Sequence, residues 1–205
     1  MKVVAVTSNP EPGSLTNAAG NAILDGAAES GAMTELIDLA AEGFNPVYSR
    51  EDRLHYLGRG PVPDDVMAMQ ARIRDADVLA LVFPVYWYTM PALMKGFLDR
   101  VICRGFAYDP SGVPGVLAGK VVRVVMLTGA GEDWYQSSGI GRALEDQICK
   151  QTFLKYCGVK EAGIVYVDNL TSGDDSPEAR AAADRHLVRL ALMGRELAWS
   201  GQGGR

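Results

Sequence analysis

The chain has 205 residues, of which 48% are hydrophobic and 22% charged, and its formal net charge is −5. That length can bury a full core in one domain without disulfides or metals. The interspersed charge offers no basic face for a nucleic-acid backbone, and no basic amphipathic or membrane-length apolar segment stands out, so neither nucleic-acid binding nor membrane insertion is expected.

The three cysteines (Cys103, Cys149 and Cys157) are odd in number and lack CxxC spacing, as expected of reduced thiols in a cytoplasmic protein. With only His55 and His186, no metal site is expected. We expect a single domain over residues 1–199 and a Gly-rich flexible tail over 200–205.

In chain order, Lys2–Val6 is a short apolar run that reads as a strand and not as a signal peptide. Leu15–Ser30 follows as a helix with Ala18, Ala19, Ala22, Ile23 and Ala27 along one side. Met33–Leu39 is the second strand, and Glu42–Pro63 the one long irregular connection, of a length that tends to be functional or mobile. Asp64–Arg74 opens with two carboxylates suited to a helix N-terminus. Asp77–Phe83 is a strand, and Pro91–Val101 a helix. Lys120–Thr128 and Gly163–Val167 complete the strands. Ser176-Pro177 then starts a helix reaching about Ala198. The strands are rich in Val, Leu and Ile without clean alternation, as in a parallel sheet buried on both faces. The fold class is therefore α/β, a doubly wound sheet.

Ligands of such sheets bind beyond the carboxyl ends of the strands, where strand order reverses. For the order 2-1-3-4-5 that point lies between the first and third strands. The loop after the first strand, Thr7–Asn17, ends in hydroxyl and amide side chains at a helix start. Backbone N–H groups there favour an anion, and Ser14, Thr16 and Asn17 can add donors, so the loop suits a phosphate; the alternative is that Ser14 merely caps the helix. The loop is neither a P-loop nor G-x-G-x-x-G.

The loop after the third strand, Phe83–Pro91, carries Tyr86, Trp87 and Tyr88 in succession. Neighbouring side chains diverge, so at least one is exposed or faces a ligand, and a flat ring system is the natural partner; the alternative is packing on the following helix. A third loop, Thr128–Tyr135, contributes small residues beside the same crevice. A phosphate attached to a planar aromatic group explains the loops jointly, and flavin mononucleotide fits that description. Gly115–Lys120 has the wrong spacing for a phosphate loop and precedes a strand.

The string from Phe83 through Trp87, Pro91, Lys95 and Asp99-Arg100-Val101 to Gly105-Phe106-Ala107-Tyr108 resembles the flavodoxin-like NAD(P)H:quinone oxidoreductases, the group of DT-diaphorase and the bacterial modulators of drug activity. Asp38-Leu39 and Gly43–Val47 resemble the family's stretch after the second strand. The resemblance implies a flavodoxin-like three-layer sandwich. It implies that Ser14, Leu15 and Thr16 hold the flavin phosphate and that Pro84, Val85, Tyr86, Trp87 and Tyr88 line the isoalloxazine. Thr128, Gly129 and Ala130 then contact its polar edge, with Tyr135 as the catalytic residue near nicotinamide or quinone.

The implied reaction is ping-pong hydride transfer from NAD(P)H to a quinone or similar flat electrophile, in a homodimer that shares its sites. FMN is slightly favoured over FAD, because Glu51–Pro63 is shorter than in the animal FAD enzymes. Two departures stand out: Asn9 where the family often has His, and Gly141 where some members have a His after Gly-Ile, which leaves proton handling to Tyr135 or solvent. The rival readings are a flavodoxin-type electron carrier, whose stronger acidity this chain lacks, and a regulatory subunit of an ion-efflux system.

Overall fold

The computed structural model describes residues 1–200. Five parallel strands, β1 (Lys2–Thr7), β2 (Met33–Asp38), β3 (Val78–Pro84), β4 (Val121–Leu127) and β5 (Glu161–Val167), pair in the order β2-β1-β3-β4-β5. This is the flavodoxin-like order expected from the sequence, with only the strand ends moved. Side chains alternate across the sheet. Val4, Val6, Leu79, Leu81 and Phe83 enter one core, whereas Val3, Ala5, Val78, Ala80 and Val82 enter the other. Burial on both faces is why these strands read as continuous apolar runs.

The helices are α1 (Leu15–Glu29), α2 (Arg50–Tyr56), α3 (Asp64–Arg74), α4 (Ala92–Val101), α5 (Glu132–Ser138), α6 (Ile140–Leu144) and α7 (Pro177–Ser200), with a π-helix over Glu145–Tyr156. One core is closed by α1 and α7 through Ala19, Ile23, Ala27, Leu190 and Leu197. The opposite core takes Ile73 from α3, Phe97 from α4 and Phe153 from the π-helix. Fully burying a side chain of this size contributes about 1.5–3 kcal/mol. A Cβ at Gly26 would meet the backbone of Ala191, and one at Gly194 the backbone of Ile23, so these two glycines set how closely α1 and α7 approach.

The connection expected to be irregular, Glu42–Pro63, holds α2. A reciprocal capping box starts it: the Asp52 amide donates to Ser49 Oγ (3.1 Å) and the Ser49 amide to Asp52 Oδ2 (2.7 Å). Between β4 and β5 lie α5, α6 and the π-helix, for which the apolar pattern gave no helix. Gly139, at φ 81°, ends α5 and leads into α6. α7 carries the chain to Ser200, the first residue of the expected tail, and residues 201–205 lie outside the described residues. Among the described residues, no helix is long and apolar enough to cross a membrane, and no cluster of three His, Cys, Asp or Glu side chains is arranged to hold a metal.

Arg100, on α4, ties together α2, α3 and the segment that precedes α2. It is 5% exposed and donates to Asp52 (2.9 Å), the Asn45 carbonyl (2.7 Å) and both oxygens of Asp65 (2.7 and 3.0 Å). Burial pushes the Asp52 carboxyl up, but hydrogen bonds from the Ser49 amide, Arg100 and the Ser49 hydroxyl outweigh it and hold the group below its ordinary value. A lowered folded pKa means that this contribution is complete above the ordinary carboxylate pKa and is lost as pH falls through the folded value. We predict that Arg100→Ala loses about 3–5 kcal/mol, because it strands the Asp52 charge. Urea unfolding followed below about pH 4 should also show a shallower acid dependence in that variant than in the parent.

Candidate functional site

Three strand ends converge on one crevice. At β1, Ser14 caps α1, its Oγ accepting from the Asn17 amide (3.3 Å). The Asn17 side-chain amide is taken by the Pro12 carbonyl (3.2 Å) and Asp38 (2.9 Å). Ser14 and Asn17 therefore build the loop, while Asn9, Leu15 and Thr16 line the cavity above it. Asn9 Nδ2 donates to Thr16 Oγ1 (3.1 Å) and fixes that hydroxyl. In the same loop, the hydroxyls of Thr7 and Ser8 and the Asn17 Oδ1 are buried and have no hydrogen-bond partner among the described residues. Leaving such a group unpaired costs about 1–3 kcal/mol each.

Beyond β3, the Val85 amide donates to the Leu127 carbonyl (2.9 Å) and locks the loop to β4. The chain then reverses in a two-residue hairpin, the Tyr86 amide donating to the Thr89 carbonyl (2.9 Å) and the Thr89 amide to the Tyr86 carbonyl (3.1 Å). Its central residues, Trp87 and Tyr88, both have positive φ, 49° and 61°. Asn-Gly is the natural pair for such a turn, and two bulky residues there cost about 1–2 kcal/mol apiece. Strain of this kind gathers at functional sites. Pro84, Val85 and Tyr86 line the cavity. Trp87 does not, being 94% exposed, and Tyr88 turns away to stack on Trp134 (centroids 5.8 Å, planes 25° apart).

Beyond β4, Thr128 and Gly129 line the cavity. The Thr128 hydroxyl donates to the Ala130 carbonyl (2.8 Å), and Ala130 packs on the core instead of facing the crevice. Tyr135 is 3% exposed and sits behind Trp134 in an edge-to-face contact (5.3 Å). Burial, then the neighbouring Tyr88, pushes its hydroxyl above the ordinary range.

The sequence reading missed the remaining wall. The loop Asn169–Asp175 and the α7 residues Glu178, Ala179, Arg180, Ala182 and Ala183 close the crevice. The signal was available, since Asn169–Pro177 is a turn-rich string past a strand end and obeys the same placement rule as the other loops. The Leu170 amide donates to the Thr128 carbonyl (3.1 Å), and a Cβ at Gly131 would press on the Asn169 side chain, so the loops after β4 and β5 form one surface. The enclosed volume is about 680 Å³. A second cavity of about 370 Å³, bordered by Tyr48, His55, Arg100, Tyr108 and Tyr156, receives none of the expected site residues. The larger cavity is therefore the candidate site.

A family model described as flavodoxin-like fold matches residues 1–190. An uncharacterized NAD(P)H oxidoreductase of Haemophilus influenzae is 32% identical over 167 residues, covering 80% of this chain and 79% of that one. The ribosyldihydronicotinamide dehydrogenase (quinone) of Homo sapiens is 29% identical over 157 residues, 68% of each chain. Among solved structures, the NAD(P)H:quinone oxidoreductase from Methanothermobacter marburgensis superposes with a TM-score of 0.84 at 28% identity, covering 96% of both chains. The chain belongs to the flavodoxin-like NAD(P)H:quinone oxidoreductase family.

Proposed function

We propose that this protein is a flavin-dependent NAD(P)H dehydrogenase that reduces quinones or similar flat electrophiles by two electrons. The observation that carries the reading is the cavity itself: Asn9, Thr16 and the start of α1 at one end, and Pro84, Val85 and Tyr86 with Thr128–Gly129 at the other. The names of the relatives agree with it.

The residues fit a flavin. Asn9 and Thr16 line the cavity at the start of α1, where backbone N–H groups favour a phosphate, and the unpartnered hydroxyls of Thr7 and Ser8 belong to the same loop. Val85 and Tyr86 provide apolar surface for a ring, and Gly129 lets backbone approach the ring's polar edge. Bound flavin supplies the hydride chemistry, and the chain supplies position, desolvation and charge. NADH or NADPH and the acceptor take turns on the open side next to Tyr86, which makes the kinetics ping-pong. Tyr135, buried beside Trp134, serves as the proton source.

FMN is the form we propose. The wall built by the last loop and α7 carries Asp174, Asp175 and Glu178 against Arg180, a balance that disfavours a second phosphate. The strained, exposed Trp87 turn is covered by a second copy of the chain in a homodimer, which completes the site and buries aromatic surface.

The direct test is to purify the protein, identify the released chromophore by mass, and mix the holoprotein anaerobically with NADH or NADPH and then a quinone. We expect FMN, bleaching by the nicotinamide and recovery of colour with the quinone; a colourless protein that takes up neither FMN nor FAD contradicts the proposal. Light scattering at micromolar concentration should give twice the chain mass, and a monomer would remove the shared site. Thr7→Val separates ligand from fold. It deletes an unpartnered hydroxyl, so urea unfolding of the flavin-free protein should show unchanged or higher stability, by up to about 1 kcal/mol, whereas FMN affinity falls.

A further inference from the structure

Asn169 lies just past β5 on the cavity wall, and three local devices fix its side chain. Its φ is 58°, a left-handed backbone that asparagine tolerates better than most residues. Its Nδ2 donates to Asp168 Oδ2 (2.9 Å). A carboxylate only accepts, so the NH2 half of the amide must face Asp168, and the oxygen half is left for another partner.

The third device is Gly131. Its backbone is extended (φ −69°, ψ 156°), a conformation any residue adopts, so glycine is not needed there for its dihedrals. A Cβ at Gly131 would lie 3.0 Å from Asn169 Oδ1 and 3.3 Å from Nδ2. The glycine therefore gives the amide room to lie against the loop after β4. Asp168 is itself held. Its Oδ2 also takes the Glu132 amide (2.9 Å), and His186 from α7 donates through Nε2 to the Asp168 carbonyl (3.2 Å), 3.6 Å from the carboxylate.

Asn169 Oδ1 accepts no hydrogen bond among the described residues. It is an acceptor set in one orientation before any ligand arrives, which spares the ordering cost of binding. The strip beside it is Thr128–Gly129 of the same cavity, tied to this loop by the Leu170 amide on the Thr128 carbonyl (3.1 Å). An oxidised isoalloxazine carries a single N–H, the imide between the carbonyls of its polar edge. We propose that Asn169 is a cofactor-binding residue, its amide oxygen accepting from that imide N–H, and that Asp168 is the positioning residue that presents it. This rests on the function proposed above, in which Gly129 meets the ring's polar edge. A neutral amide suits the place, since a second carboxylate at 169 would be repelled by Asp168.

Titration of the flavin-free protein with FMN, followed by fluorescence quenching, is the test. Asn169→Gly keeps the left-handed backbone and removes the amide, so the dissociation constant should rise about tenfold. Gly131→Ala leaves Asn169 in place and crowds its amide; it should raise the constant about threefold in the parent and not at all in Asn169→Gly. Asp168→Ala should likewise weaken binding only where Asn169 is present. Equal losses in both backgrounds would make Asp168 a purely structural residue and overturn its role. With FMN carrying ¹⁵N at the imide, the imide proton should be visible at neutral pH in the parent and lost to exchange in Asn169→Gly. An unchanged dissociation constant in Asn169→Gly, or an imide proton equally protected in both proteins, overturns the contact. A parent that takes up neither FMN nor FAD overturns the proposed function and the contact with it, whereas a yellow, bleachable parent indifferent to Asn169→Gly loses the contact alone.

Discussion

β1 and β3 pair in register from Val3–Val78 to Thr7–Val82, and this pairing is the constraint on which the site depends. The sheet turns back at this seam: β2 continues on one side, β4 and β5 on the other. The helices that follow β1 and β3 therefore leave on opposite faces, α1 toward α7 and α4 toward the π-helix. A crevice opens above the seam, at the carboxyl ends of the strands. Every loop that borders the cavity is anchored to this seam or to the strands beside it. The Ser8 amide donates to the Val82 carbonyl (3.3 Å), the Val85 amide to Leu127 (2.9 Å) and the Thr128 amide to Val167 (2.9 Å). A ligand at such a place is held by backbone that the sheet has already made rigid.

That rigidity explains how the site tolerates features that are unfavourable in isolation. Unpaired hydroxyls at Thr7 and Ser8 and left-handed aromatics at Trp87 and Tyr88 each cost of order 1 kcal/mol or more. Two well-packed cores and the buried Arg100 network offset them. In the function proposed above, a phosphate takes up the first pair and a second copy of the chain covers the second.

Much of this was legible in the sequence, for identifiable reasons. The strands were, because burial on both faces leaves an unbroken Val, Leu and Ile run that nothing else in a chain of this composition imitates. α1 and α4 were, because each has a clear apolar stripe. α2 was not: only Asp52 of its residues is buried, and a polar anchor to Arg100 has no apolar periodicity. Its capping box was readable and went unread. The π-helix hid because its hydrogen bonds step by more than one α-turn, which smears the 3.6-residue pattern. At the site, the crevice and the cavity-lining residues Leu15, Thr16, Pro84, Val85, Tyr86, Thr128 and Gly129 followed from strand order and resemblance. The outward turn of Trp87 and Tyr88 did not, since turn chemistry assigns those backbone angles to Asn and Gly.

The central claim is that the crevice above the β1–β3 seam is a phosphate-and-ring site, and a crystal structure of the protein with FMN tests it most directly. The account predicts phosphate oxygens within hydrogen-bond distance of the Thr7, Ser8 or Thr16 hydroxyls and the ring against Val85 and Tyr86. FMN lodged instead in the cavity bordered by His55 and Tyr156, with the Thr7 and Ser8 hydroxyls still unpaired, would contradict it.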